Sequence, residues 1–482
     1  MTDTDISTKQ DKYNMKGKYN RADKLSILEY SKQILHKTLE EAIAPDKIDE
    51  KFQGKGSLGQ LVEKYFFGYD INSKQEADFH EAGLELKCTP LKELVKKTLA
   101  IKERLVLTMI DYDNDYKKKF EESHAYMKCM YMLILFYLHV ADTPVEKLKF
   151  IYSVLWKIPE KDLLIMKQDY ETIISKIRAG KAHELSEGDT TYLGACRKGQ
   201  KGEREKEYKL PDGSVAERTA PKRAFSLKTQ YMRTILEFAK KTGGQGTFNT
   251  SAFVSGYGPQ LITEQELKDK SFEDILLDRF KPYYGLTYNE LVKVLGCEGS
   301  KAKSKYFLVT NEILTEKRSR GVDVTKSEEF KKSGIIIKTI RLKKSGRSAE
   351  AMSFENINYF DIMKEDDWYE SRLYDIFTGR FLFVVFQENE SKETVLKKAF
   401  FWTMPYEDLK IAEEYWKNIH DNVAANQIEP AFFYKASEHK KFHVRPKAKK
   451  AADVTINPHG GTVKKYCYWF NRDYIKEIVE KA

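Results

Sequence analysis

Between Leu58 and Ile110 the chain places acids and a lysine in an order that suits phosphodiester hydrolysis. The segment Ala77-Asp78-Phe79-His80-Glu81-Ala82-Gly83-Leu84-Glu85-Leu86-Lys87 ends in a period-two strand, with Leu84 and Leu86 facing one way and Glu85 and Lys87 the other. Residues two apart on a strand have Cα atoms about 6 to 7 Å apart, so the carboxylate can hold a divalent cation while the ammonium meets a water or a phosphate beside it. Asp78, ahead of the strand, offers another hard oxygen. Cleaving a phosphodiester needs a nucleophilic water, stabilisation of charge on the phosphoryl oxygens and a route for the leaving oxyanion. Carboxylates holding Mg²⁺, with a lysine, provide all three. A Glu-x-Lys pair alone is commonplace in so charged a chain, as Glu207 and Lys209 show, and is usually a solvated strand face. The full order singles this one out: Glu63, then Asp78, then Glu85 and Lys87, then a second apolar strand candidate over Arg104 to Ile110.

Those residues need elements to position them. Leu61, Val62, Tyr65 and Phe66 recur at helical spacing and predict one buried helix face, with Glu63 on the opposite flank, free for solvent or for chemistry. Gly54-Lys-Gly56-Ser-Leu-Gly59 satisfies G-x-G-x-x-G and Asp78 follows at a distance resembling a ribose-binding acid, but no buried strand enters the turn from DKIDEKFQ. The glycines are read as shaping a helix start. His80 and His124 receive no role, since metal and lysine already meet the chemical need.

The whole chain has 482 residues, too many for one ordinary core, so two to four domains are expected. Apolar residues at 41%, with only 12 Pro and 26 Gly, exclude wholesale disorder. Lys plus Arg at 83 against Asp plus Glu at 73 leaves a net charge of +10 and a pI near 8.9, which favours a polyanionic partner where the charge is clustered. Cys88, Cys129, Cys196, Cys297 and Cys467 form no C-x-x-C pair, which argues against a disulfide framework and a zinc ribbon and fits a reducing cytoplasm. The polar start and the short apolar run from Met130 to Leu138 predict a soluble, unexported protein with no membrane partner.

Gly, Ser and Thr crowd together between Lys240 and Lys270, where apolar periodicity lapses, and a linker is expected over 241–270 between domains 1–240 and 271–482. The halves echo each other. Phe79, Gly83, Lys87 and Leu91 align at one constant offset with Phe330, Gly334, Lys338 and Leu342, and Gly59-Gln-Leu-Val-Glu63 stands beside Asn289-Glu-Leu-Val-Lys293. One fold is expected twice, with chance agreement between two Lys-rich amphipathic segments as the alternative.

GKGSLGQLVEKYFFG and DFHEAGLELKCTPL, with its D-x(6)-E-x-K spacing, resemble the MutH / Sau-three-A family of DNA endonucleases, which unites a mismatch-repair nickase with GATC-cutting restriction enzymes. The segment Phe120 to Lys128 resembles the family segment whose lysine supports the active site. Gly180 to Gly188, Gly194-Ala-Cys-Arg197-Lys198-Gly and Lys222-Arg-Ala-Phe-Ser226-Leu-Lys228 resemble the restriction branch, as do Phe442-His-Val-Arg445-Pro-Lys447-Ala and Tyr466-Cys-Tyr468-Trp. The resemblance implies two α/β domains of restriction-endonuclease type, each a mixed sheet flanked by helices. It implies catalytic roles for Glu63, Asp78, Glu85, Lys87 and Lys128, with Asp78, Glu85 and Glu63 as ligands of Mg²⁺. It implies DNA contacts from Arg197, Lys198, Ser226, Arg445, Lys447 and Tyr468, although Ser226 stands where the mismatch-repair member has Tyr. Surrounding lysines could anchor phosphates.

In the second half Ile336 takes the place of Glu85, Lys293 that of Glu63 and Glu329 that of Asp78, while Lys338 persists. An Ile cannot ligate a hard cation, so only the first half is expected to cut and the second to bind DNA as an effector. The activity implied is that of a type II restriction endonuclease cutting duplex DNA at GATC, before the G. A DNA-induced homodimer and a cognate DNA methyltransferase in the same system are implied with it. A partner-directed repair nickase and a non-catalytic DNA-binding protein are the other readings.

Overall fold

The run Tyr131-Met-Leu-Ile-Leu-Phe-Tyr-Leu138 has no polar alternation, the pattern of a strand covered on both faces, and it forms the inner strand of a sheet. The computed structural model describes residues 18–43, 57–70, 76–94, 97–199, 204–243, 258–299, 302, 304–316, 322–447 and 453–482. They divide into two compact units. Unit 1 takes in residues 1–183, 192–260 and 327–333; unit 2 takes in 184–191, 261–326 and 334–482. Each unit thus owns a short piece of chain lying within the other's stretch of sequence, an interleaving that no composition shift announces. Residues 244–257 of the expected linker, with Gly54 and Gly56, lie outside the described residues, and Glu264–Asp269 is a helix.

In unit 1 the strands are β1 (Glu85–Glu93), β2 (Leu99–Ile101), β3 (Leu105–Met109), β4 (Tyr131–Leu138), β5 (Phe150–Lys157), β6 (Leu193–Arg197) and β7 (Arg223–Leu227). They form two sheets, ordered β2-β1-β4-β5 and β3-β7-β6. β1 runs parallel to β4 with Glu85 opposite Met132 and Lys87 opposite Ile134; β2 and β5 are antiparallel to their neighbours. Met132, Leu133, Ile134, Leu135 and Phe136 are all at 0% exposure. At about 1.5 to 3 kcal/mol for each such side chain, this strand is a main source of the unit's stability. The strand expected over Arg104 to Ile110 exists as β3, but it joins the second sheet and not that of β1.

In unit 2 the strands are β8 (Ile336–Leu342), β9 (Met352–Asn356), β10 (Phe381–Glu388), β11 (Thr394–Trp402), β12 (Phe442–Pro446), β13 (Val454–Ile456), β14 (Thr462–Lys464) and β15 (Tyr466–Phe470). β8 is parallel to β10 and β10 antiparallel to β11; β12-β15-β9 is a second sheet, and β13 pairs with β14. The echo seen in sequence is therefore a shared topology. Ile336 stands opposite Phe381 and Lys338 opposite Phe383, repeating the places of Glu85 and Lys87.

The helices repeat too. Glu160–Arg178 and Tyr406–Ala424 each have 19 residues and each follows a proline, Pro159 or Pro405, whose ring presets φ for the helix entry while acids in the first turn complement the dipole. The short helices His124–Met130 and Arg372–Phe377 each follow a 3₁₀ turn and a capping serine: Ser123 accepts from the Tyr126 N–H and Ser371 from the Tyr374 N–H. All five cysteines are free.

Candidate active site

Three elements of unit 1 converge on Glu85. β1 carries Glu85 at its first residue and Lys87 on the same face. The helix His124–Met130 runs straight into β4, so its last turn delivers Lys128 beside the start of β1. Between Phe79 and Leu84 the chain makes a tight reversal with Gly83 at φ 59°, a conformation that favours glycine, and this brings Asp78 back beside Leu86.

Glu85 is buried, at 2% exposure, and both of its oxygens are engaged. Oε1 accepts from Lys87 Nζ at 2.8 Å and Oε2 from Lys128 Nζ at 2.8 Å. Asp78 Oδ2 accepts the Leu86 N–H at 2.8 Å, and its other oxygen lies 3.8 Å from Lys128 Nζ. Lys128 also donates to the Glu76 carbonyl at 3.0 Å, and Lys87 to the Leu107 carbonyl of β3 at 3.5 Å. The pairing expected from the E-x-K alternation is present, and Glu85 is more deeply enclosed than a solvated strand face would be.

Glu63 sits in a π-helical turn, Val62–Phe66, that continues the α-helix Ser57–Leu61. The expected regular helix is widened there by one residue per turn, a local distortion common at functional sites. Val62, Tyr65 and Phe66 are buried as predicted, whereas Glu63 is half-buried. Burial, then the nearby charges of Asp78 and Glu85, push the Glu63 carboxyl up to about 7. Burial and Glu85 push Asp78 up to about 6, against the pull of Lys128 and Lys87. These mutual effects place the three acids in one electrostatic neighbourhood.

Among the described residues no group of three His, Cys, Asp or Glu stands at ligand spacing for a metal ion. The Lys128 ammonium lies between Glu85 and Asp78, 2.8 Å and 3.8 Å from their oxygens. Hard carboxylate oxygens, mutually repelling and bridged by a cation, are the donor set that Mg²⁺ takes. The residues fit such an ion once Lys128 yields.

The residues expected to touch DNA fall into two groups. Arg197 ends β6 half-buried, Lys198 follows it, Arg445 is exposed on β12 with its guanidinium 3.9 Å above the Trp469 ring, and Lys447 is exposed. Ser226 and Tyr468 are at 0% and 3% exposure, inside β7 and β15. Both side chains are covered by packing in this state, so neither is presented to a ligand here. Glu329, aligned above with Asp78, belongs to the helix Glu328–Ser333 of unit 1 and is paired with Lys161 at 2.6 Å. Beside it Lys332 is fully buried between Asp162 and Glu328. Sequence reasoning missed the Leu86 N–H and the Glu76 carbonyl, since backbone groups carry no residue signature; Gly83 was the one available hint of the turn that aims them.

Residues 67–169 match the family model described as the DNA mismatch repair enzyme MutH, a span holding Asp78, Glu85, Lys87 and Lys128. Over 500 aligned residues the chain is 29% identical to the type II restriction enzyme Sau3AI of Staphylococcus aureus, covering 93% of this chain and 98% of that relative. The chain is similar to the MutH/Sau3AI family. MutH proteins of Shewanella woodyi and Shewanella amazonensis are each 29% identical over 185 residues, covering 38% of this chain and 77% and 80% of those relatives. The likeness to the MutH proteins takes in a little over a third of this chain, while that to Sau3AI runs nearly its whole length.

Proposed function

We propose that the chain is a type II restriction endonuclease that hydrolyses duplex DNA at GATC, on the 5′ side of the G, with Mg²⁺ as cofactor. The observation that carries this reading is the clustering of Asp78, Glu85, Lys87 and Lys128 in a chain alike to Sau3AI over nearly all of its length. In hydrolysis a water oxygen bonds to phosphorus, one bridging P–O bond breaks and the leaving oxyanion takes up a proton. Mg²⁺ held by Asp78 and Glu85, with Glu63 completing or orienting the set, would polarise the phosphoryl group and acidify a bound water. Lys87 positions the attacking water and neutralises charge growing on the phosphoryl oxygens. Lys128, between Glu85 and Asp78, is the supporting cation that offsets their mutual repulsion.

Unit 2 binds a second DNA site as an effector, with Arg445 and Lys447 exposed for the purpose and Tyr468 as their buried support. One catalytic unit cuts one strand at a time, so cleavage of a palindrome implies two chains assembled on DNA. The enzyme would work in the cytoplasm, beside a methyltransferase that protects the host's own GATC sites. Among the described residues no helix is long and apolar enough to cross a membrane.

Length favours a restriction enzyme over a repair nickase, because the likeness to MutH proteins takes in 38% of the chain and that to Sau3AI 93%. Plasmid DNA incubated with the protein and Mg²⁺ separates the readings. A fixed ladder with ends mapping to GATC is expected; open circles alone would indicate a nickase, and retarded but intact plasmid a binding protein.

A further inference from the structure

The corresponding corner of unit 2 has the opposite charge. Ile336 stands in the strand position of Glu85, and Ile376 stands as far beyond its capping serine as Lys128 does beyond Ser123. Lys338 remains. With no carboxylate opposite, its ammonium donates to the Ser353 carbonyl of β9 at 3.0 Å and lies 5.0 Å from the centre of the Phe354 ring. A second ammonium reaches the same strand: Lys447 Nζ is 3.4 Å from the Phe354 carbonyl. Among the described residues neither lysine has a carboxylate within ion-pair distance, and Glu355, next on β9, is held at both oxygens by Arg372.

Register explains how Lys447 arrives there. β12 and β15 pair as β6 and β7 do, so Lys447, just past the end of β12, takes the place that Lys198 takes past β6. It reaches the strand equivalent to β3, whose Leu107 carbonyl Lys87 uses in unit 1. A corner that in unit 1 balances three carboxylates against two ammoniums becomes in unit 2 a pair of ammoniums. Like charges gathered at a partly buried place without acids are unfavourable unless an anion joins them.

We propose that Lys338 and Lys447 clamp one phosphodiester of duplex DNA without a metal ion, at the position in unit 2 that corresponds to the cation site of unit 1. The inference rests on the reading of the chain as a DNA-binding nuclease and deepens it: the effector site grips its DNA where a catalytic site would cut. Burial and the Lys447 charge bring the Lys338 ammonium down to about 8, a strain that a bound phosphate relieves. Ionised Lys338 then serves as a phosphate ligand in a place too apolar for Mg²⁺.

The test uses the whole protein in EDTA, titrated with a GATC duplex over a range of salt and followed by fluorescence anisotropy to saturation. In Lys447→Ala and in Lys338→Met, one class of duplex site should weaken about tenfold, and the salt slope for that class should fall by about 0.9 for the lost phosphate. Lys338→Arg should retain the slope, which a merely structural lysine would not require. Lys447 is exposed, so its replacement keeps the fold and the test stands even where Lys338→Met does not fold. Unchanged affinity and slope in Lys447→Ala overturns the clamp. Mg²⁺-dependent cleavage of plasmid by the same preparations keeps the two ideas apart: no cleavage by the unaltered protein sinks the nuclease reading, whereas cleavage with an unchanged slope sinks only the clamp.

Discussion

Units 1 and 2 place a lysine on the same face of the same strand and differ in what stands two residues before it. Glu85 in unit 1 ties Lys87 and Lys128 to itself at 2.8 Å each, while Ile336 in unit 2 leaves Lys338 to a backbone carbonyl. The skeleton is otherwise repeated: a parallel strand pair, an antiparallel partner, a 19-residue helix entered through proline and a serine-capped short helix. A fold fixed by apolar strands such as β4 and β10 tolerates reversal of charge at its edge, since the site contributes little to the core. The charge at this corner can therefore reverse without rebuilding either sheet.

Removing the carboxylate from unit 1 is the harshest way to erase this difference. Glu85→Ala should reduce cleavage by about a hundredfold or more, as loss of a preorganised electrostatic group commonly does, while duplex binding survives because Lys87 and Lys128 remain. Gel analysis of plasmid cleavage, paired with anisotropy, checks both halves. Cleavage within tenfold of the unaltered protein would show that the cation, and the scissile phosphate with it, lies elsewhere.

Protonation offers a gentler probe. Glu63 and Asp78 have native values of about 7 and about 6, both above those of free carboxyl groups. In the metal-free protein the native state therefore holds protons that the unfolded chain has already released. Stability from this site is greatest at acid pH and declines as pH rises from about 4 toward 7. Asp78→Asn should remove about 2 kcal/mol of that decline, the figure being reduced for solvent screening. Metal affinity runs the other way, falling as pH drops below about 7, because the ligands must lose their protons. Thermal melts of the metal-free protein and Mn²⁺ titrations across the same pH range should move in opposite directions; parallel trends would separate these acids from the metal.

What was legible beforehand follows from the kind of signal each feature leaves. The E-x-K alternation and the D-x(6)-E spacing are local patterns, and each corresponds to a strand or a turn in the structure, whereas the apolar run of β4 was read only as too short to span a membrane. Lys128 was found through resemblance alone, because its approach to Glu85 depends on a parallel pairing between segments 43 residues apart. The π-turn at Glu63 reads as plain helix in sequence, since one extra residue per turn does not disturb so short a pattern. Glu329 was aligned by offset, yet the helix Glu328–Ser333 commits it to Lys161, and the interleaving of the two units decides that.

Writing the acid back into unit 2 tests the comparison from the other side. Ile336→Glu would set a carboxylate beside Lys338 as Glu85 stands beside Lys87, and metal-free DNA binding at that unit should weaken about tenfold. Ile336→Gln, of similar shape and no charge, should weaken it much less. Equal losses in the two variants would mean that packing around β8, and not charge, governs the site.

The smallest effect expected belongs to Ser226. Its hydroxyl is fully buried in β7 without a hydrogen-bond partner among the described residues, while its register equivalent Trp469 in β15 fills its position and donates to the Arg445 carbonyl at 3.1 Å. An unsatisfied buried hydroxyl costs free energy, so Ser226→Ala should leave the protein equally stable or more stable by up to about 1 kcal/mol. Affinity for a GATC duplex should stay within about twofold, because a side chain at 0% exposure cannot reach a base. A tenfold loss of affinity in that variant would mean that β7 shifts when DNA binds and turns this hydroxyl outward. The buried face would then differ between the two units in the bound state as well as the free one.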